Sequence, residues 1–403
     1  QMCIRDSSGS GQFAAGLALA RRAFRSGDIA VIGAADTFDF LGASAAMGHA
    51  SNAYDIDDGH NIIRAHPGTS FIGGLLAAGY ECDLNAQDFL AALYVSYETT
   101  IRMGEAIMDY YQYAHSSGTF GAVGVAAGAG RIYGLDRAAL NNILSIAEFN
   151  APLVPGIRSV EYPSMNKDGV PFGVMIGALA LLADQCGFTG NKHLLEADEY
   201  RRYLDDLGQN HEVMALYFKP YPCCRWGHPA IDACLALMAE HHVTAQDIKS
   251  VTVETFYKAT QLSKGIPSCA DAAQYNIAYP VAAAIVNNGF SIQQVENTND
   301  DAVIDMMGRL SFVCDPELDA QFPARRLCRA AMVLKDGRRI VSDVHEPRGE
   351  ACENIGYDWL ADKFHRITAH RLTSPQQEVF IQRLHNDDWT VRQLISQVNA
   401  ALL

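Results

Sequence analysis

Ile248–Tyr257 reads IKSVTVETFY. Val251 and Val253 alternate with Thr252 and Glu254, and the β-branched content is high. A period of two marks a strand with one face buried. Upstream, from Phe13 to about residue 215, apolar residues recur almost throughout at helical spacing. Helices are expected over Phe13–Arg25, Asp36–Ala53, Thr69–Tyr80, Ala86–Met108 with Asn85 and Asp88 as capping candidates, Val123–Tyr133, Asp136–Phe149, Val174–Ala183 and Leu195–Leu207. Downstream, helical spacing returns at Asp271–Asn287 and Asp301–Met307. Phe312–Asp315 and Cys328–Leu334 read as strands, and the turn Lys335–Gly337 joins the latter to Arg339–Val344 as a hairpin. Tyr357–Ile367 and Asp387–Val398 close the chain as helices. The first strand signal thus comes late, which argues against a nucleotide-binding parallel sheet. A mainly α fold is expected: a large all-helical domain with a smaller α+β lid domain. The helical domain takes residues 13–216 and returns over 349–403; the lid takes 217–348. Residues 1–12, QMCIRDSSGSGQ, carry no periodicity and read as a disordered or artefactual leader.

Composition narrows the function classes. Lys+Arg 31 against Asp+Glu 46 gives a formal charge of −15 with no basic run, which speaks against a nucleic-acid partner. No apolar run reaches membrane-spanning length. The ten cysteines lack paired CxxC spacing, so reduced thiols in a cytoplasmic protein are expected, not a zinc ribbon or disulfide scaffold. No GxGxxG follows a strand; the glycines of 121–130 lie inside a helical pattern. No cofactor is expected.

Chemistry concentrates in Tyr54–Gly68, YDIDDGHNIIRAHPG, between two apolar segments. Asp55, Asp57, Asp58, His60, Arg64 and His66 fall within twelve positions, and Pro67–Gly68 ends the element. Charged groups in an apolar context form either a salt-bridge knot or the rim of a cavity. A metal held by Asp55, Asp57, Asp58, His60 and His66 is the competing reading, without an ordered ligand spacing to favour it. His115–Gly118 precedes a glycine-rich helix whose glycines could admit a substrate. Lys167, in MNKDGVPFG, suits a carboxylate partner or a desolvated base. Lys219, Arg225 and His228 crowd a proline-rich stretch, and Tyr279 sits in AAQYNIAYPVAAAI, where a core tyrosine is the plain alternative. Arg64, Lys167, Lys219 and Arg225 around candidate bases would suit a small carboxylated molecule.

These same stretches carry a resemblance. AYDIDDGHNIIRAHPG, HSSGTFGAVGVAAGAGRIYGL, the segment from Lys167 to GFTG, KPYPCCRWGHPAIDA, AQYNIAYPVAAAI and EPRGE resemble the MmgE/PrpD family from about Asp36 to Phe364. That family's best-known activities are 2-methylcitrate dehydratase and cis-aconitate decarboxylase. The resemblance implies a large helical domain with a smaller α+β lid, a homodimer, and a cofactor-free cleft between domains. It places the active site on Asp55, His66, His115, Lys167, His228 and Tyr279. By charge alone, and apart from the resemblance, Arg64, Lys219 and Arg225 are the cations available to hold substrate. Gly59 stands where the family usually has threonine, and Val170 where it often has histidine. The implied function is a cofactor-independent lyase, ranked first as a dehydratase of a small di- or tricarboxylate. A decarboxylase, an epimerase or isomerase, and a non-catalytic binding protein are the alternatives.

Overall fold

The computed structural model describes residues 9–113, 116–353, 355–386 and 388–403. Helix α1 (Gly11–Ala23) starts where the Ser10 hydroxyl accepts the Phe13 N–H at 3.1 Å. Gly11 and Gln12, read above as leader, therefore belong to a helix, and Gln12 is buried. Helix α2 (Phe40–Ser51), capped by Asp39, is buried at every position except Leu41. Its alanines, glycines and serines leave room for neighbours on all sides. Helices α3 (Ile72–Glu81), α4 (Ala86–Tyr111), α5 (Ser117–Ile132), α6 (Arg137–Asn150) and α7 (Val170–Gln185) complete the helical body, and Asn85 does cap α4.

Close approach explains the glycines of α5. A Cβ on Gly118 would lie 2.1 Å from the Gly169 carbonyl oxygen, and one on Gly121 would lie 2.3 Å from that of Ser70. These glycines admit neighbouring backbone, not substrate, which corrects the expectation for the stretch after His115.

The body is not wholly helical. Two-residue strands β1 (Ile29–Ala30) and β2 (Thr37–Phe38) pair, and β3 (Asp58–His60) pairs antiparallel with β4 (Leu216–Phe218). The helix expected over Leu195–Leu207 is replaced by two 3-10 turns, Leu194–Glu196 and Arg201–Leu204. Buried Arg102 of α4 holds this segment: it donates to the Tyr203 and Asn210 carbonyls at 2.7 and 2.9 Å. A backbone captured by a guanidinium need not close its own helical bonds.

In the smaller part, β5 (Ile248–Thr255) is central to a sheet ordered β6-β5-β7-β8, with β6 (Leu310–Cys314), β7 (Cys328–Leu334) and β8 (Arg339–Val341). Only the β5–β6 pair is parallel. An irregularity between Ile248 and Ser250 lets Ile248 be buried with Val251 and Val253 despite the break in alternation. Helix α8 (His228–His241) packs on β7 and on α9 (Ala278–Asn287), and α10 (Asp301–Met307) packs on α9. The expected helix 271–287 is in fact broken into Ala270–Gln274 and α9. The chain ends in α11 (Tyr357–Thr368), α12 (Ser374–His385) and α13 (Val391–Leu402), the last returning to α3.

Residues 54–68 belong to both parts. Tyr54 and Ile56 are buried in the core of the α+β part, whereas Ile63 and Ala65 are buried in that of the helical body. The Tyr54 hydroxyl also bonds Glu296. Ile56→Ala removes three carbons from the shared seam. It should lower stability by about 2–5 kcal/mol, read from urea unfolding.

Candidate active site

Three segments are bent sharply enough to need left-handed backbone: φ is +49° at Asp55, +52° at Arg64 and +47° at Lys167. Among the described residues four other non-glycine residues share this conformation, Asp83, Gln112, His242 and Asn288, and all of them follow helix ends. Two of the three exceptions, Asp55 and Arg64, line a cavity of about 320 Å³ where the body meets the α+β part, and the third, Lys167, precedes the lining residue Asp168. The body contributes Asp55, His66, Asp168 and, from β4, Tyr217; the other part contributes Lys219, Arg225, Tyr275 and Arg326. Arg64 and Lys258 also line it, so five cations face two carboxylates in a protein whose formal charge is −15. Such a cavity favours anions.

Asp55 is buried, and its Oδ1 lies 2.8 Å from Lys219 Nζ. Its Oδ2 accepts no hydrogen bond among the described residues. Burial by itself would lower Lys219, but the charges of Asp55 and Asp57 carry its ammonium above the usual range. The Asp57 carboxylate has only Asn52 as a hydrogen-bond partner among the described residues, and burial pushes it up to about 6. His66 is oriented by a backbone group: Nδ1 is 2.7 Å from the Asp58 carbonyl. A carbonyl can only accept, so Nδ1 carries the proton in the neutral ring and Nε2 keeps its lone pair. Nε2 lies 3.7 Å from Asp168 Oδ2 and 4.0 Å from Asp55 Oδ1. The Ser117 hydroxyl connects the pieces, accepting the His66 N–H at 3.0 Å and donating to Asp168 at 3.3 Å.

The other expected residues are placed differently. Lys167 is absent from the cavity wall; its Nζ bonds the Ala53 carbonyl (3.0 Å), Asp271 (3.1 Å) and Gln274, which uses its three protons. Its neighbour Asp168 lines the cavity instead. His228 is fully buried away from the wall, with Nε2 on the Cys223 carbonyl at 3.0 Å. Burial holds it well below the usual imidazole range, hence neutral. Tyr279 is a core residue whose hydroxyl lies 2.6 Å from the Gln294 carbonyl and 2.8 Å from that of Asn297. The tyrosine at the cavity is Tyr275, whose buried hydroxyl has no partner among the described residues. Burial lifts its phenol well above the usual range, which keeps it protonated. His115 lies outside the described residues.

The metal set read from sequence also changes. Asp58 accepts from the Tyr97 hydroxyl at 2.7 Å and from the Gly68 N–H at 3.1 Å, while His60 faces Glu212. Burial pulls His60 down to about 4. The ligand atoms that do converge, within 4.8 Å of one another, belong to Asp55, Asp57 and His66. Lys219 already supplies the positive charge at Asp55, so these groups are a poor match to a divalent cation.

The fold and the cavity define a class: a helical body with a smaller α+β part and an anion-favouring cavity at the junction. The chain matches the MmgE/PrpD N-terminal domain over residues 3–206 and the MmgE/PrpD C-terminal domain over residues 221–387. It belongs to the MmgE/PrpD family, and is of that family's general enzyme type. No curated protein was found to match it.

Lys219→Met strands Asp55 in a buried site. The variant should lose roughly 3–5 kcal/mol of stability at neutral pH in urea unfolding, and Asp55→Asn in the same chain should restore much of it.

Proposed function

We propose that the protein is a cofactor-independent lyase, foremost a dehydratase, acting on a small di- or tricarboxylate of the 2-methylcitrate or aconitate type. The observation that carries this reading is His66, whose Nδ1 proton is committed to the Asp58 carbonyl, leaving a basic Nε2 on a cationic cavity. In this reading Nε2 removes the proton next to a substrate carboxylate. The resulting imidazolium is stabilised by Asp55 and Asp168 at 4.0 and 3.7 Å. The electron pair left on carbon spreads into the carboxylate, where fixed positive charge lowers the barrier. It then forms the C=C bond as the β-hydroxyl leaves with the Tyr275 phenol proton, giving water. His66 returns a proton to the phenolate and both groups are reset. Lys167 acts as a positioning residue, since it ties down the short helix Ala270–Gln274 that ends beside Tyr275.

A non-catalytic binding protein is the second reading, favoured by the burial of His228 and the full hydrogen bonding of Lys167. We further propose a homodimer in a reducing, cytoplasmic setting. The exposed rings of Phe149, Phe172 and Phe188 on or beside the packed helices α6 and α7 support the dimer, and the unpaired cysteines support the setting. Sedimentation should give twice the chain mass at micromolar concentration; a monomer there removes the dimer.

Proton exchange separates the enzymatic reading from the binding one. In heavy water, 2-methylcitrate, citrate or cis-aconitate should take up deuterium or turn over, followed by NMR. His66→Asn should lower both exchange and turnover by about 100-fold or more. Tyr275→Phe should slow dehydration while leaving exchange. Wild-type rates in His66→Asn overturn the mechanism, and no exchange or turnover with any acid favours the binding protein.

A further inference from the structure

Arg225 is a buried cation with idle donors. Its side chain is only 4% exposed, Nη2 donates to Glu350, and buried Nε and Nη1 have no partner among the described residues. Unsatisfied buried guanidinium donors are costly unless something binds there. The guanidinium lies flat on the Tyr217 ring, 3.6 Å from its centroid. That ring in turn crosses Gly59, its partner in the β3–β4 pair: a Cβ at position 59 would come within 2.1 Å of the ring carbon Cζ. Any larger residue at 59 would displace the platform on which Arg225 rests.

A second guanidinium is tied to the first. The other Glu350 oxygen accepts from Asn61 Nδ2 at 2.8 Å, and Asn61 Oδ1 accepts from Arg326 Nη1 at 3.0 Å. Arg326 is buried and, among the described residues, donates to Asn61 alone. The relay Arg225–Glu350–Asn61–Arg326 therefore holds two cations at the cavity with one carboxylate between them. Both arginines line the cavity. They are separate from Lys219, whose charge is committed to Asp55.

We propose that Arg225 and Arg326 form a distal subsite for a second carboxylate of the substrate, and that Gly59 is a specificity-determining residue because it makes room for the Tyr217 platform. A planar, two-oxygen anion can take two parallel N–H bonds from Arg225, one from Nε or Nη1 and one from the second hydrogen of Nη2, a geometry that a monoacid could not use while also presenting its reactive carbon to His66. The subsite rests on the reading of the cavity as a carboxylic-acid site. It does not require turnover.

The test is therefore binding of unreactive acids. Isothermal titration of the full chain should show glutarate binding at least about 10-fold tighter than pentanoate, which has a similar chain and one carboxylate. Arg225→Met should weaken glutarate by about 10–100-fold and leave pentanoate unchanged; Arg326→Met should act in the same direction. Arg225→Lys keeps the Glu350 partner and the charge but lacks the fork, so it should fall between, and circular dichroism checks that each variant is folded. If Arg225→Met does not fold, the Arg225→Lys and Arg326→Met titrations decide. Equal glutarate affinity in the wild type and in the folded variants overturns the subsite, as does wild-type indifference between the two acids. Inorganic phosphate outcompeting glutarate in an Arg225-dependent way also overturns it, in favour of a phosphate site. Arg225-dependent glutarate binding without turnover of any acid would leave the subsite standing and remove the lyase. Turnover of a tricarboxylate unaffected by the arginine variants would do the reverse.

Discussion

Three lysines from distant parts of the chain hold one short turn. Lys167 donates to the carbonyl of Ala53 at 3.0 Å, Lys219 to that of Asp55 at 3.2 Å, and Lys363 to that of Ile56 at 2.9 Å. Lys219 adds the ion pair to Asp55 Oδ1, and its own N–H bonds the Asp57 carbonyl at 3.2 Å. Burying three ammonium groups is expensive, and such clusters rarely add stability beyond what apolar packing would give. Here they hold a backbone that could not hold itself. The left-handed conformation at Asp55 prevents the turn from continuing as helix, so its carbonyls need outside donors. Everything at the cavity follows: the turn sets the Asp58 carbonyl, the carbonyl sets the tautomer of His66, and β3 places Gly59 beneath Tyr217.

The cavity therefore has two chemically distinct walls made from one ribbon. Asp55 and His66 precede and follow β3, while Gly59 and Asn61 sit in it or just after it. In the proposed mechanism the former face proton transfer; the latter support the arginine relay through Tyr217 and Glu350. Because neighbouring strand residues alternate in direction, β3 and β4 can serve both walls within a few residues. Glu350 reaches the relay because Gly349, at φ +88°, brings its carbonyl to 2.8 Å from the Phe218 N–H. A side chain at 349 would collide with the Phe218 carbonyl at 2.0 Å.

Much of the fold was readable wherever local periodicity and burial agreed. The strand expected over Ile248–Tyr257 runs Ile248–Thr255, and the strand Cys328–Leu334 and the helix Asp301–Met307 are where the spacing puts them. What escaped depends on partners far away in the chain. β3 and β4 are three residues each and exist only as a pair, and α12 has too few apolar residues, chiefly Phe380 and Ile381, to announce itself. The candidate site shows the same division. Tyr54–Gly68 stood out because charges in an apolar context need a reason, and Asp55, His66, Arg64, Lys219 and Arg225 do reach the cavity. Direction within a turn was not legible. Tyr275 and Tyr279 would share a helix face, but the helix breaks between them, with Asn276 Oδ1 accepting the Tyr279 N–H at 2.8 Å. One tyrosine turns to the cavity and the other to the core. Lys167 is itself left-handed, so it bonds Ala53 and Asp271 inside while its neighbour Asp168 lines the cavity. Asn61 and Arg326 carried no signal, since their importance arises only through Glu350.

The Lys219–Asp55 pair also bears on how the protein is made. The partners are 164 positions apart, so at roughly 5–20 residues per second a ribosome takes on the order of 8–33 s to supply the lysine after the aspartate. Glu350 and Lys363 come later still. During that interval residues 54–68 have neither their carbonyl donors nor the second core that receives Tyr54 and Ile56. The nascent body therefore carries this turn beside buried apolar helices without the donors to its Asp55 and Ile56 carbonyls. Assembly of the helical body is completed backwards, by segments emerging last, and a stall in translation before residue 219 leaves an exposed chain, not a finished first domain.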